Sequence, residues 1–238
     1  MKTIMLVGDT HANLDHIEEM AIEAVRLGIT DLYQLGDFGF TLTDDFFKKV
    51  TEIMSDRSLT IHWIDGNHDN HDLIRSWPTR PGESFWVSDC IEYLPRGYRW
   101  EIEGVSFLAM GGAVSIDRDR RTEGVSIWYG EHISYAEAEL AVNGGHADII
   151  LSHDVPFGPL EEELNSYRVP YQEAAEGNRK TLRAIVDVVR PSLIAHGHYH
   201  YRYDRMFQGI QVSGYGMNGM GKDSFGILRL DNGSWKLV

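Results

Sequence analysis

The sequence predicts an α/β protein in which two mixed β-sheets form a layered β-sandwich flanked by helices. Three observations support this fold class: short and mostly continuous apolar runs, amphipathic stretches between them, and two hairpin patterns. Continuous apolar runs are typical of strands that are covered on both faces. The length of 238 residues suits one domain, which we expect to span residues 1–238.

The individual elements follow in chain order. Apolar runs predict central strands at residues 4–7, 32–35, 59–64, 149–151 and 193–195. Amphipathic periodicity predicts helices over residues 13–27, 44–55, 134–142 and 178–189. Ser134 and Glu137 form a capping box at the start of the third helix.

Alternating patterns and long polar segments complete the predicted architecture. Residues 98–107 alternate about a Gly turn and predict a hairpin, and residues 225–237 predict a second hairpin that turns at 231–234. Segments 114–132 and 156–177 are expected to be long loops, which in compact domains are usually functional.

Composition limits the classes of partner. The 36 acidic and 22 basic residues give a formal charge of −14, which opposes binding of long nucleic acid or an anionic membrane. No apolar run approaches the roughly 18 residues of a membrane span, and residues 1–7 are expected to be a first strand rather than a signal peptide. Cys90 is the single cysteine, so we expect no intramolecular disulfide and a cytoplasmic location.

Chemistry-bearing side chains follow the predicted central strands at their carboxyl ends, which in open α/β sheets form the binding edge. They are Asp9, His11, Asp37, Asn67, His68, His153, His198 and His200. Residues two apart in an extended segment point the same way, so Asp9 with His11 and His198 with His200 could each hold one metal. His196 could instead pair with His198 at the same spacing. The imidazole, carboxylate and amide donors suit two ions of Mn, Fe, Zn, Co or Ni.

The order of these motifs resembles the calcineurin-like metallophosphoesterase family. D-x-H lies at residues 9–11, G-D at 36–37, G-N-H-D at 66–69, a lone His at 153 and G-H-x-H at 197–200. The resemblance covers most of the chain. It implies a β-sandwich flanked by helices, with a dinuclear metal site.

The same resemblance implies a role for each residue. Two groups of ligands would each hold one metal: Asp9, His11 and His200, and Asn67, His153 and His198. Asp37 would bridge the two ions. His68 would face the scissile phosphate, where it either donates a proton to the leaving oxygen or stabilises the transferring phosphoryl group.

One departure separates the chain from the phosphoprotein-phosphatase branch of that family. The branch continues its second motif with Asp-Arg-Gly, whereas residues 38–40 here carry no charge. Hydrolysis of phosphoproteins is therefore less favoured. The group that orients His68 is left open, with Asp69 and Asp72 as candidates.

Three further patterns suggest ligands. Arg118 and Arg121 lie in the densest cationic stretch and could bind a phosphate oxygen of the substrate, or they could form a surface ion-pair cluster. Residues 216–222 spell G-x-x-x-x-G-K, but Asp223 replaces the Ser or Thr of a P-loop, so we reject that motif. Tyr199, Tyr201 and Tyr203 suggest a packed strand face rather than base stacking.

Together these features predict a metal-dependent phosphoesterase with two divalent ions, Mn being expected. The substrate would be a small phosphodiester such as a cyclic nucleotide, attacked by a hydroxide that bridges the ions. An acidic surface and few fixed cations favour a diester over a dianionic monoester. A nuclease or phosphomonoesterase using the same site remains an alternative. A scaffold that has lost its metals is disfavoured, because no ligand of the pattern is missing. The sequence predicts no oligomeric state.

Overall fold

A computed structural model describes residues 1–165 and 171–238. Its strands are β1 (Lys2–Val7), β2 (Asp31–Gln34), β3 (Thr60–Trp63), β4 (Phe85–Ser88), β5 (Ile91–Tyr93), β6 (Arg99–Ile102), β7 (Val105–Met110), β8 (Ile149–Ser152), β9 (Leu193–His196), β10 (Tyr203–Phe207), β11 (Ile210–Gly214), β12 (Phe225–Asp231) and β13 (Ser234–Leu237). The helices are α1 (Leu14–Arg26), α2 (Asp44–Ser55), α3 (His71–Ser76), α4 (Tyr135–Asn143), α5 (Glu161–Asn165) and α6 (Gln172–Val189). Single 3₁₀ turns cover Arg118–Arg120 and Gly221–Ser224.

The strands form two mixed sheets, as predicted. The first has the order β13, β12, β1, β2, β3, β5, β4, and its four middle strands β1, β2, β3 and β5 run parallel. The second has the order β10, β11, β9, β8, β7, β6, with β11, β9, β8 and β7 parallel. Hairpins supply the antiparallel edges, and the predicted β6–β7 and β12–β13 pairs are both present. In the second hairpin Asn232 and Gly233 both have positive φ, as a type I′ turn requires.

Apolar side chains fill three layers. Between the sheets, Leu6 and Ile64 of the first sheet pack with Phe107 and Leu151 of the second. Helices α1 and α2 cover the outer face of the first sheet, and α4 and α6 cover that of the second. The predicted fold class, a β-sandwich of two mixed sheets flanked by helices, is confirmed.

The predicted helix boundaries agree best with the structure where a capping residue marks the start of the helix. Ser134 caps α4, and both bonds of the capping box with Glu137 are present, at 3.3 and 2.7 Å. The predicted loop at 156–177 is wrong in part, because it contains α5 and the first residues of α6. Gly177 and a run of charged residues obscure the helical pattern in the sequence. Burial of Ala175 stabilises the start of α6 where the helix propensity of the sequence is weak. Residues 166–170 of that prediction lie outside the described residues.

Two other local expectations need correction. Short strands β4, β5 and β10 and helix α3 were not predicted, because each is too short to show a period. Of the three tyrosines predicted to share a packed strand face, only Tyr203 lies in a strand, because Tyr199 and Tyr201 precede β10. Their rings still pack on the same apolar cluster, with the centroids of Tyr201 and Tyr203 5.3 Å apart.

One buried histidine lies in the sheet interior, outside the predicted pattern. His62 of β3 stacks on Tyr33, with ring centroids 4.5 Å apart. Its Nδ1 is 2.6 Å from Glu92 Oε2, and its Nε2 is 3.4 Å from Asp31 Oδ1. Burial acts to lower the pKa of His62, but the two carboxylates outweigh it and raise the pKa above its ordinary value.

The length and hydrophobicity of the described helices bear on whether any of them could span a bilayer. Within residues 1–165 and 171–238, none is both long and apolar enough to cross a membrane.

Candidate active site

The carboxyl ends of β1, β2, β3, β8 and β9 meet at one edge of the sandwich, and the predicted ligands follow them there. All seven come together in two adjoining groups that share Asp37. The first group is Asp9, His11, Asp37 and His200, and the second is Asp37, Asn67, His153 and His198.

Four of these residues have a left-handed backbone. The φ angles are 48° at His11, 57° at Asp37, 70° at His198 and 58° at His200. Such conformations are costly for residues with a side chain and cluster at functional sites. They also overturn the extended register expected for His198 with His200: their side chains diverge, one into each group.

In the first group, each of the four residues offers a ligand atom, and these atoms lie within 4.8 Å of one another. His200 Nε2 is 2.9 Å from Asp9 Oδ2, and His11 Nε2 is 3.6 Å from Asp37 Oδ2. Burial acts to lower the pKa of His11, but the hydrogen bond and charge of Asp37 and the charge of Asp9 raise it to about 9. A divalent cation would take the place of that proton between the carboxylates.

The second group centres on His153, which is fully buried. Its Nδ1 donates to the carbonyl of Leu35 at 2.8 Å, which directs Nε2 toward Asn67 Oδ1 at 3.0 Å and Asp37 Oδ1 at 3.4 Å. The ring of His198 lies 5.0 Å from that of His153, centroid to centroid. The charge of Asp37 outweighs burial and raises the pKa of His153 to about 10.

The donor set fits two divalent ions. Asp9 and Asp37 are buried carboxylates, and burial alone would raise the pKa of Asp37, yet the charges of His153 and His68 hold it well below its ordinary value. The Asp37 carboxylate therefore stays charged. Two buried carboxylates with imidazoles around them form the environment that borderline-hard cations such as Mn or Zn prefer.

Sequence reasoning missed Asn218. Its Oδ1 lies 3.0 Å from His11 Nδ1, so it fixes the ring and leaves Nε2 for the cluster. The backbone N–H of Asn218 also donates to the carbonyl of Asp9 at 2.8 Å. The residue lies in the Gly-rich segment of residues 214–226, where no local pattern distinguishes it from a turn residue.

Two glycines of the motifs allow the carboxylates to approach the backbone. A β-carbon at Gly66 would lie 2.1 Å from Asp37 Oδ1, and one at Gly197 would lie 2.1 Å from Asp9 Oδ1. Both carboxylates accept backbone N–H groups in these loops, Asp37 from His68 at 2.8 Å and Asp9 from His198 at 3.0 Å. The glycines are therefore required by close packing against ligands.

His68 faces the cavity side of the cluster. Its Nε2 lies 3.1 Å from Arg121 Nη2 and 3.9 Å from Asp37 Oδ2. Its Nδ1 is buried and has no hydrogen-bond partner among the described residues. Burial and the nearby cations, Arg121 first among them, lower the pKa of His68 despite the opposing charge of Asp37.

The two candidates for orienting His68 serve other purposes in the described part of the chain. Asp69 accepts the backbone N–H groups of Gly39 at 2.8 Å and Gly66 at 2.7 Å, and so joins two site loops. Burial and the charge of Asp37 raise the pKa of Asp69 to about 7. Asp72 lies in the first turn of α3. The contacts to His68 Nε2 come instead from Arg121 Nη2 at 3.1 Å and from Asn67 Nδ2 at 3.3 Å.

The alternative pairing of His196 with His198 is not found. His196 Nε2 lies 2.5 Å from Tyr203 Oη, and its Nδ1 donates to the carbonyl of Gly197 at 2.8 Å. The ring is fully buried, and burial lowers its pKa to about 4. His196 thus packs inside the fold, away from the cluster.

A cavity of about 470 Å³ opens over the two groups. Its floor includes Asp37, Asn67, His68, His198 and His200. Arg121 lines one wall, whereas Arg118 is absent from the lining in the described part of the chain. Arg118 instead pairs with Glu131 at 3.0 Å and stacks on the ring of Tyr171. Of the two predicted phosphate-binding arginines, one faces the cavity and the other belongs to an ion-pair cluster.

Comparisons with known proteins agree with this geometry. Residues 2–202 match the profile of the calcineurin-like phosphoesterases. A search of curated proteins finds no match to the sequence. A crystal structure from Thermus thermophilus is similar with a TM-score of 0.61 and 12% identity, over 100% of this chain and 98% of that one. A dimetal phosphatase from Danio rerio is similar with a TM-score of 0.63 and 13% identity, over 99% and 95%. At these identities the likeness concerns the fold.

Proposed function

The chain belongs to the calcineurin-like phosphoesterase family, which is metal-dependent and hydrolyses phosphoesters, and we propose that its own substrate is a small phosphodiester. The observation that carries the proposal is the adjacency of the buried ligand cluster to a cavity with few free charges. Its lining cations, among the described residues, are Arg121 and Arg179, and each has an acidic partner: Asp117 at 2.7 Å and Glu161 at 3.2 Å. So little uncompensated positive charge suits the monoanion of a diester better than the dianion of a monoester.

The size and lining of the cavity support an organic, nucleotide-like ester group. Sites for small molecules measure roughly 300 to 1,000 Å³ and are mostly apolar, and this one has about 470 Å³. Ile116, Leu164, Ala175 and the ring of Tyr199 form its apolar surface, with the amide of Gln172 between them. A cyclic nucleotide offers a planar apolar ring with hydrogen-bonding edges, which matches such a surface.

We further propose two divalent ions per chain, with Mn expected. When bound, they would lower the pKa of a water molecule and polarise the phosphoryl oxygens. Asp9, His11 and His200 would hold one ion, Asn67, His153 and His198 would hold the other, and Asp37 would contribute to both. This assignment rests on the resemblance and is consistent with the distances between these side chains.

The remaining site residues act on the phosphoryl group directly. Arg121 binds a non-bridging oxygen, since its guanidinium lines the cavity beside His68. His68 either donates a proton to the leaving oxygen or stabilises the transferring phosphoryl group. Replacement by Arg121→Gln is expected to lower kcat/KM about tenfold or more, because one charged hydrogen bond to the substrate is lost.

Substrate preference provides the first test. Purified protein is assayed with Mn²⁺, and with a chelator as control, on bis(p-nitrophenyl) phosphate and on p-nitrophenyl phosphate. We expect metal-dependent turnover that is faster on the diester; equal or faster turnover of the monoester contradicts the diester proposal. A panel of 2′,3′-cyclic, 3′,5′-cyclic and dinucleoside phosphates then identifies the ester group, and a labelled oligonucleotide tests the nuclease alternative.

Variants test the assignment of roles. His68→Ala should lower kcat by about 10²- to 10⁴-fold while metal analysis still finds about two ions per chain. Asp37→Asn should lower metal content as well as activity. The matched control is His146→Gln, a surface histidine remote from the cluster. Loss of metal from His68→Ala would show that the roles are wrongly assigned, and well under one ion per wild-type chain would favour the scaffold alternative.

A further inference from the structure

The side-chain amide of Asn67 can act as a metal ligand only if its oxygen, rather than its nitrogen, faces the cluster. An amide coordinates a cation through oxygen only, yet a half-turn about its last torsion exchanges oxygen and nitrogen with almost no change of shape. Asn67 Oδ1 lies 3.0 Å from His153 Nε2, on the side of the cluster. Its Nδ2 lies 3.0 Å from Ser115 Oγ, and at a longer 3.3 Å from His68 Nε2. The contact with Ser115 therefore bears on which end faces the cluster.

The hydroxyl of Ser115 has a fixed direction. It donates its single proton to Glu131 Oε2 at 2.7 Å, because a carboxylate can only accept. Ser115 thus turns lone pairs toward Asn67 and can accept only from Nδ2. The reversed amide would bring Oδ1 against those lone pairs. Ser115 is 2% exposed and Glu131 1% exposed, so solvent has little access to either group.

A buried guanidinium connects the two segments that carry this chain of hydrogen bonds. Arg96 donates to the carbonyl of Glu131 at 3.0 Å and to Asp65 Oδ2 at 2.6 Å. Asp65 lies two residues before Asn67, so the loop that carries Glu131 is tied to the segment that carries the amide. Arg118 Nη1 lies 3.0 Å from the other oxygen of Glu131, as an ion pair without hydrogen-bond geometry.

We propose that Ser115 and Glu131 are positioning residues that keep the oxygen of the Asn67 amide turned toward the second metal. The inference rests on the proposed function, because it presupposes that Asn67 is a ligand. Neither residue belongs to the motifs of the family resemblance. Groups that orient metal ligands typically change affinity by about 10- to 100-fold when removed.

Metal binding without substrate tests the inference. Chelator-treated protein is titrated with Mn²⁺ alone by calorimetry, and wild type is expected to bind two ions. Ser115→Ala should weaken one of the two sites by about 10- to 100-fold and leave the other unchanged. Ser115→Thr keeps the hydroxyl and should restore the affinity.

Glu131→Gln is a second, independent variant. Its amide can donate to Ser115, which frees the serine proton to point at Asn67, so the same site should weaken. The matched control is Ser126→Ala, whose hydroxyl lies in the same loop and accepts from the backbone N–H of Thr122 at 3.0 Å. Its two affinities should equal those of wild type.

The outcomes separate the two proposals. Two ions in wild type with equal affinities in Ser115→Ala overturn the positioning role and leave the proposed function intact. Equal weakening of both sites also overturns it, since that result indicates a general structural effect. Fewer than two ions in wild type overturn the two-metal assignment of the proposed function, and the positioning role falls with it.

Discussion

Replacement of Arg96 by Met is expected to cause a large loss of stability. The guanidinium is 5% exposed, and it bonds the carboxylates of Asp65 and Glu137 and the carbonyls of Gly130, Glu131 and His132. Methionine fills most of the space but leaves Asp65 as a buried charge without its cation. Removing one partner of such a pair costs about 3 to 5 kcal/mol. For a chain of this length that loss lowers Tm by roughly 6 to 20 °C.

Urea unfolding followed by far-UV circular dichroism measures the loss. Arg26→Met is the matched control: its guanidinium is exposed, its pair with Glu23 is screened by water, and its midpoint should stay close to that of wild type. The double variant Asp65→Asn/Arg96→Met removes both charges, so it should be destabilised by less than the sum of the single variants, by about 1 to 3 kcal/mol. A loss under about 1 kcal/mol for Arg96→Met, within the range of exposed pairs, would refute the reasoning.

Two further sets of variants examine pH dependence and close packing. Because the pKa of His62 is raised on folding, its stabilisation is complete below the unfolded value of about 6.5 and is lost as pH rises through the folded value. Urea unfolding of wild type and His62→Gln is measured from about pH 5.5 to about pH 9. The difference between their unfolding free energies should shrink as pH rises. A difference that grows would contradict a raised pKa of His62. Gly197→Ala should displace the carboxylate of Asp9 and weaken Mn²⁺ binding in calorimetry, and unchanged affinity would show that the loop absorbs the methyl group. Gly177→Ala, in the open interior of α6, should instead raise stability by up to about 1 kcal/mol without effect on the metals.

Much of the site could be predicted because it consists of short motifs at strand ends. Parallel strands place their carboxyl ends at one edge whatever the details of packing, so Asp9 and His153 could be predicted to meet across a large separation in sequence. The partners of these residues could not be predicted in the same way. Asn218 and Ser115 contact the cluster through loops whose paths depend on the whole fold, and neither has a local pattern of its own.

The errors in secondary structure have a common physical origin. Helix α6 begins at Gln172 because burial of Ala175 and Asn178 in its first turns compensates for Gly177, which is unfavourable in a helix interior. Helix α4 carries its own capping box and was predicted within one residue. The extent of the domain over residues 1–238, the cytoplasmic location and the Mn ions stay predictions.

The sequence by itself determined the fold class and the family, because periodicity and motif order are local properties of the chain; the residues it offers to the metals stay a prediction. Tertiary structure decided the directions of individual side chains, since left-handed turns at His198 and His200 place one ring beside His153 and the other beside Asp9. It also decided that Arg121 faces the cavity while Arg118 turns to Glu131. Such choices depend on contacts between loops that are far apart in sequence, and only the folded chain brings those loops together.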